Sequence, residues 1–381
     1  MKIQMITKYF HPVVAGIETR VYEIAKRMIK RGIKVEVHTS KDTLTEKNTL
    51  RDRETLEDIE VRRYNSSIFR FIPRIEKNGL IDLLNFNIFP HFWVFLKVFL
   101  LRVSKRAKIK LVLTPEGGFN CWWEEFPFIV RHLKRVYHAT IGLFFINHLV
   151  DTVIAVSEWE KNQLIKSGVK EDKTIVISHG VEDLAFEFEH CEDKIQNLEP
   201  YIITFCRISK RKNLDPVIRV LPFFKHLNFV ICGDIHEKDY YKSIKRLATK
   251  LGVSNRVKFM GLKTGKEKYH LMDKAEAFVL LSHNESDGIA VKEAMVRGKI
   301  IVVSNRDNLP YLINKKGGFV IEPTEDNLKE VLKKVLSMSE HEKHQMIDYN
   351  FKKVDRFRWE NAAKEIEMVY LKLRGKAHKK G

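Results

Sequence analysis

Cysteine is scarce in this chain: four among 381 residues, Cys121, Cys191, Cys206 and Cys232, with no Cys-x-x-Cys pair. That excludes a disulfide scaffold and a thiolate metal cluster. Cys206 and Cys232 sit inside apolar runs and read as buried free thiols of a reducing compartment. Long apolar runs are missing too. "FNIFPHFWVFLKVFLL", residues 86–101, is interrupted by Pro90, His91 and Lys97 and falls short of the roughly 20 residues of a spanning helix. The opening "MKIQMITKYFHP" breaks at Pro12 before an apolar stretch forms, so no signal peptide is read and a cytoplasmic protein is expected. Acid is the third shortage, with 49 Asp and Glu against 68 Lys and Arg and a net charge of +19.

The imbalance is concentrated. From Arg62 to Lys110 there are 11 Lys or Arg and 2 Asp or Glu, and the aromatic run lies in the same window. It reads either as a core helix with a solvated basic flank or as an aromatic-basic surface resting on an anionic membrane, at its inner face. Nucleic acid is a weaker third reading, since no RNA-binding signature accompanies the charge.

What is present is a soluble globular composition, 44% apolar and 31% charged, long enough for two domains. "MKIQMIT", a loop, the periodic "TRVYEIAKRMIKRG" and "IKVEVHTS" read as strand, loop, helix and strand. Val21, Ile24, Ala25 and Met28 share one helix face, and Gly32 closes the helix. Further strands are expected at "IKLVLT", "DTVIAVS" and "TIVISHGVE". The alternation restarts at "YIITFCRIS" and continues through "LNFVICGD", "RVKFMG", "AFVLLS" and "IIVVS". Two doubly wound α/β domains are expected, 1–187 and 188–355, with an acidic linker near 183–200. A last amphipathic helix, 356–374, is expected to cross back onto the first domain.

"HNESDG", residues 283–288, follows an apolar strand and opens a helix. Ligands of open α/β sheets collect at such strand ends, and a helix N-terminus at Gly288 and Ile289 suits a phosphate. Glu285 precedes the helix and Glu293 lies inside it, so the two point at different parts of one ligand. Carboxylates accept from sugar and ribose hydroxyls, and the combination suits a nucleotide sugar. The bland alternatives are a surface carboxylate on an amphipathic helix and a Glu293–Arg297 ion pair at i,i+4 spacing.

"ESDGIAVKE" resembles the E-x7-E motif of the retaining GT-B glycosyltransferases. "YFHPVVAGIETRVYEIAKRMIKRGIKVEVHTS", "DTVIAVSEWEKNQLIKSGV", "RISKRKNLDPVI", "NRVKFMG" and "WENAAKEIEMVY" resemble other landmarks of that family, in the expected order. The resemblance implies two Rossmann-like domains facing across a cleft, transfer of a hexose from a UDP- or GDP-sugar, and retention of configuration. It implies that Glu293 binds ribose hydroxyls, that Glu285 holds the donor sugar, and that Arg207 and Lys212 neutralise the departing diphosphate. Gly16, Gly233, Gly288 and Ile289 complete the implied donor-binding set. A solvated basic turn is the plain alternative for Arg207 and Lys212, because "RISKRK" is cationic throughout.

Three positions depart from the family pattern. Ala15 replaces the first of two usual glycines, Glu116 in "LVLTPEGGFN" stands where a histidine is common, and His179 stands where asparagine is usual. Glu116 is carried as a catalytic candidate that contacts a sugar hydroxyl or an oxocarbenium-like centre. No Asp-x-Asp occurs, and His236, His270 and His283 lack ligand spacing, so no metal and no cofactor are expected. The expected partners are the nucleotide sugar and a glycan or lipid-linked acceptor. A sugar-nucleotide epimerase and a catalytically weakened scaffold of the same fold are the rival readings.

Overall fold

The computed structural model describes residues 2–13, 16–43, 46–65, 73–76, 79–84, 88–104, 108–117, 127–188 and 200–375. Two compact units divide the chain: Met1–Gly180 with Trp359–Gly381, and Val181–Arg358.

The first unit opens with β1 (Lys2–Ile6), α1 (Gly16–Lys30) and β2 (Lys34–Ser40). Val21, Ile24, Ala25 and Met28 of α1 are all buried, and Gly32 ends the helix at φ +75°. A hairpin follows, β3 (Arg53–Leu56) and β4 (Ile59–Tyr64), turned by Glu57 and Asp58, both at positive φ. The charged "RETLEDIEV" concealed this edge hairpin from the sequence reading. Next come β5 (Leu80–Leu84), α2 (Ile88–Val103), β6 (Lys110–Thr114), α3 (Phe128–Tyr137) and α4 (Leu143–Leu149). β7 (Thr152–Ala155), α5 (Glu158–Lys166) and β8 (Thr174–Val176) complete the sheet. Among the described residues its order is β3-β4-β2-β1-β5-β6-β7-β8, parallel except at β3–β4. β5 is buried along its whole length, as a central parallel strand covered on both faces must be.

The second unit alternates strictly. β9 (Tyr201–Phe205), α6 (Asp215–Val220), β10 (Asn228–Cys232), α7 (Lys238–Lys250) and β11 (Val257–Gly261) form one half. α8 (Gly265–Asp273), β12 (Ala277–Leu280), α9 (Ile289–Val296), β13 (Ile300–Ser304), α10 (Leu309–Leu312) and β14 (Phe319–Ile321) form the other. α11 (Glu325–Ser337) and α12 (Glu340–Val354) close the unit. The all-parallel order β11-β10-β9-β12-β13-β14 is that of a Rossmann sheet, and its winding reverses between β9 and β12.

The last helix, α13 (Trp359–Leu373), belongs to the first unit. Trp359, Ala362, Ala363, Ile366 and Tyr370 bury one face among residues of α1 and β1, and Arg31 pairs with Glu360 and Glu367 outside. Burying Trp359 alone is worth about 3 kcal/mol. A Cβ on Gly180 would stand 2.5 Å from its ring, so no larger residue fits there.

Two sequence expectations are adjusted here. The units part at Gly180, seven residues before 187, because Val181 bridges Arg358 and Ala185 is buried in the second core. Asp183–Phe186 is thus a packed turn, while 189–199 lies outside the described residues. The described part of the 62–110 window is core in part and surface in part, with Leu100 and Val103 of α2 exposed. Val94, Phe95 and Val98 of α2 are core residues. Arg62 pairs with Glu36, Arg63 with Glu54, and Arg102 and Lys110 with Asp151. Lys105 and Arg106 lie outside the described residues. No helix among the described residues is long and apolar enough to cross a membrane.

Candidate active site

Loops leaving β9 and β12 diverge at the winding reversal of the second sheet, which makes their start the natural ligand crevice. Arg207, just beyond β9, is exposed and has no hydrogen-bond or ion-pair partner among the described residues. The chain then makes one tight turn, Lys210–Lys212, ended by Asn213 in the left-handed region. The Lys212 Nζ donates to Glu285 Oε2 at 2.5 Å, each side chain about one-fifth exposed. The two loops are also joined through backbone, His283 N–H donating to the Arg211 carbonyl at 2.8 Å. Lys212 and Glu285 are therefore brought to one place, and Arg207 begins the same loop.

Gly233 serves that place by its size. It sits at φ +148°, and a Cβ would stand 1.9 Å from the Cys206 carbonyl oxygen, so only glycine lets the end of β10 approach the backbone next to Arg207. The neighbouring Cys232 is a free, buried thiol pushed up to about 12 by burial, and so unreactive; Cys206 is free as well. Cys121 and Cys191 lie outside the described residues.

The 282–288 loop is held by the next strand–helix connection. Ser304 Oγ donates to the Ser282 carbonyl at 2.6 Å, and Glu285 N–H donates to Asp307 at 3.1 Å. Asn308 donates to the carbonyls of Glu285 and Asp287 at 3.1 and 3.0 Å. Gly288, at φ +82°, turns the chain into α9, where Ile289 is the first residue. Lys292, buried, pairs with Asp287 at 2.5 Å and fastens the turn to the helix. The sequence reading missed Asp307 and Asn308, although "NRDNLP" is a turn signal by composition.

Glu293 belongs to a different set of contacts. It is 3% exposed, accepting from Lys268 Nζ at 2.5 Å and Tyr269 Oη at 3.2 Å. Tyr269 also contacts Glu182 at 2.9 Å, so two carboxylates compete for one hydroxyl proton. Burial pushes the Glu293 carboxyl upward, and Lys268 opposes the shift. Both bland alternatives for Glu293 fail. It is not on the surface, and Arg297 forks instead onto Asp273 and donates to the carbonyls of Ala185 and Glu187. Lys268, Tyr269 and Glu182 went unforeseen, since nothing local in the sequence ties them to Glu293.

In the first unit Glu116 follows β6 in the left-handed region at φ +56°. It is buried, with His179 Nε2 donating to it at 2.9 Å and Arg20 Nε 3.8 Å away. The adjacent Gly117 N–H donates to Glu160, as does Val156 N–H at 2.7 Å. Burial pushes Glu160 up to about 7 despite those two bonds. Tyr370 donates to Asp82 at 2.5 Å, and burial raises that carboxyl as well. A cation on the buried face of α1 was the readable clue to this cluster, since Arg20 needs an anion inside. Gly16 is the first residue of α1; Ala15 lies outside the described residues. His236 and His283 are exposed, His270 half-buried on α8.

Comparison with known proteins covers nearly all of the chain. The Glycosyltransferase Family 4 model matches residues 14–183, and the Glycosyl transferases group 1 model matches residues 186–354. A phosphatidylinositol N-acetylglucosaminyltransferase subunit from Arabidopsis thaliana is 20% identical over 97% of this chain and 81% of its own length. Alpha-monoglucosyldiacylglycerol synthase of Streptococcus pneumoniae is 23% identical over 83% of this chain and 74% of its own. The structure of Anabaena HepE in complex with UDP-glucose superposes with a TM-score of 0.78 at 18% identity, over 98% of this chain and all of that one. With one glycosyltransferase model on each half and the GT-B fold throughout, the chain belongs to the GT-B glycosyltransferases.

Proposed function

We propose that the enzyme transfers a hexose from a UDP- or GDP-sugar to a lipid-linked or glycan acceptor, with retention and without a resident metal. One observation carries the reading: where the Rossmann winding reverses, the loop that begins at the exposed Arg207 is tied by the Lys212–Glu285 pair to the loop that opens α9. HepE, a structural neighbour, is bound to UDP-glucose, and the names of the two relatives refer to phosphatidylinositol and to a diacylglycerol. A buried free thiol at Cys232 suits the reducing cytoplasmic side of a membrane.

As the bond from the sugar C1 to the diphosphate breaks, its electron pair moves onto the phosphate oxygen. Arg207, Lys212 and the first amides of α9 stabilise that growing charge more than they stabilise the bound donor. The acceptor hydroxyl oxygen bonds to C1 on the same face and gives its proton to the departing phosphate. Glu285, released from Lys212 as the diphosphate binds, accepts from donor-sugar hydroxyls, and Glu293 accepts from the ribose. The cations do the work a metal would do.

The test is release of nucleoside diphosphate from labelled UDP- and GDP-sugars, with and without chelator. Turnover is expected with one donor and is expected to survive the chelator. Loss of turnover in chelator, restored by magnesium, would overturn the metal-free reading. A weakened scaffold is the second reading, favoured by the engagement of Glu116 with His179 and Arg20. Tight donor binding without any diphosphate release would select it.

A further inference from the structure

Glu293 is held from the helix before its own. α8 and α9 flank β12 in the chain and are tied to each other twice. Lys268 meets Glu293, and a turn further along both helices Asp273 meets Arg297. Lys299 Nζ adds a bond to the Asp273 carbonyl at 2.5 Å. Lys268 Nζ and the Arg297 guanidinium also stand over the Tyr269 ring, 5.2 and 5.7 Å from its centre. These ties fix α8 beside Glu293. Both internal donors to that carboxylate end on Oε1, Lys268 Nζ at 2.5 Å and Tyr269 Oη at 3.2 Å. Neither ends on Oε2, the oxygen left for a ligand. Tyr269 has one proton and lies closer to Glu182, at 2.9 Å, so Lys268 is the firmer of the two holds.

Charge makes Lys268 more than a tether. Glu293 is buried, and the neighbouring Glu182 carboxylate adds repulsion to the cost of burial. Lys268 is the cation that opposes both. On α9 itself Lys292 is engaged by Asp287 and Arg297 by Asp273. α12, packed on α9, buries Asn350 and Val354, and β12 and β13 bring apolar side chains apart from Ser304. One ammonium and one hydroxyl proton thus serve two carboxylates. Glu293 is left short of donors, and a pair of ribose hydroxyls would supply them.

We propose that Lys268 is a positioning residue for the nucleotide: its ammonium holds Glu293 by Oε1 as an ionised carboxylate, so that Oε2 accepts from the ribose. The proposal rests on the reading of Glu293 as the ribose acceptor, and Lys268 itself does not touch the donor.

The experiment is calorimetric titration with UDP and GDP, and with the analogue of each that lacks both ribose hydroxyls. Wild type is expected to bind the analogue about tenfold or more weakly across about pH 6 to 9. Lys268→Met should lose about tenfold in affinity for the full nucleotide near pH 6, and little for the analogue. A neutral Glu293 accepts poorly and ionises as pH rises, so the deficit against wild type should shrink toward about pH 9. Lys268→Arg keeps the charge and should recover most of the loss. Lys268→Gln, also neutral, carries the same test where the methionine variant does not fold. A neutral variant that binds the full nucleotide as tightly as wild type, or more tightly, overturns the proposal and makes Lys268 a stand-in that the ligand displaces. So does a deficit equal for both ligands and constant with pH, the mark of a lysine that only supports the fold. Wild type that binds nucleotide and analogue equally, or binds neither, removes the ribose reading of Glu293 itself and the proposal with it.

Discussion

Glu116 and Glu285 are both loop carboxylates just past a parallel strand, and both meet a cation, yet they are built for different ends. The Glu116 side chain is 5% exposed, in strained backbone, between His179 and a buried Arg20. The Glu285 side chain is 19% exposed and faces a lysine as open as itself. A buried pair loses several kcal/mol when one partner is removed, because the other charge is left without compensation inside the protein. A partly exposed pair can trade its partner for water or a ligand at smaller cost. Motif position does not distinguish the two carboxylates; the depth of their partners does.

The largest effect should therefore fall on the first unit. Glu116→Ala is expected to cost about 3–5 kcal/mol of stability, read as a fall in the denaturant midpoint. An unchanged midpoint would break the comparison. Next, Arg207→Ala should reduce transfer about a hundredfold, or about 3 kcal/mol, with a midpoint inside the scatter of ordinary surface substitutions. A clear loss of stability there would make Arg207 a structural cation after all.

The third effect is a pH dependence in the first unit. Glu160 is raised from 4.5 to about 7, chiefly by burial. A raised folded-state carboxyl contributes stability that is complete below its unfolded value and is lost as pH climbs through about 7. The change is at most roughly 3 kcal/mol. Glu160→Gln should flatten stability between about pH 4.5 and 7, and an undiminished slope in that variant would assign it to another group. The smallest effect sharpens the comparison from the other side. A double-mutant cycle on Lys212 and Glu285 should give a coupling in stability of about 1 kcal/mol or less. A coupling of about 3 kcal/mol would place that pair with Glu116 as scaffold.

Much of the second unit was legible because its signals are local. Apolar strands such as "YIITF" and "AFVLL" alternate with periodic helices, and Glu285, Gly288 and Glu293 sit at one strand end within nine residues. What stayed hidden depends on contacts distant in sequence. The cluster of Arg20, Asp82, Glu116, Glu160, His179 and Tyr370 draws on six separate segments. Lys268 and Tyr269 reach Glu293 from the preceding helix, and the sheet brings them there. For the 62–110 window composition left a core helix and a docking surface open; Arg62 and Arg102 find carboxylates, Glu36 and Asp151, that lie outside the window and that local composition does not reveal.

The central claim is that the β9–β12 crevice of the second unit holds a nucleotide sugar. Calorimetric titration of wild type, Arg207→Ala and Glu293→Ala with UDP- and GDP-sugars tests it most directly. Binding of one nucleotide class by the wild type, weakened at least about tenfold in both variants, is the predicted result. Equal affinity in all three folded proteins, or no binding of either class by the wild type, would contradict it.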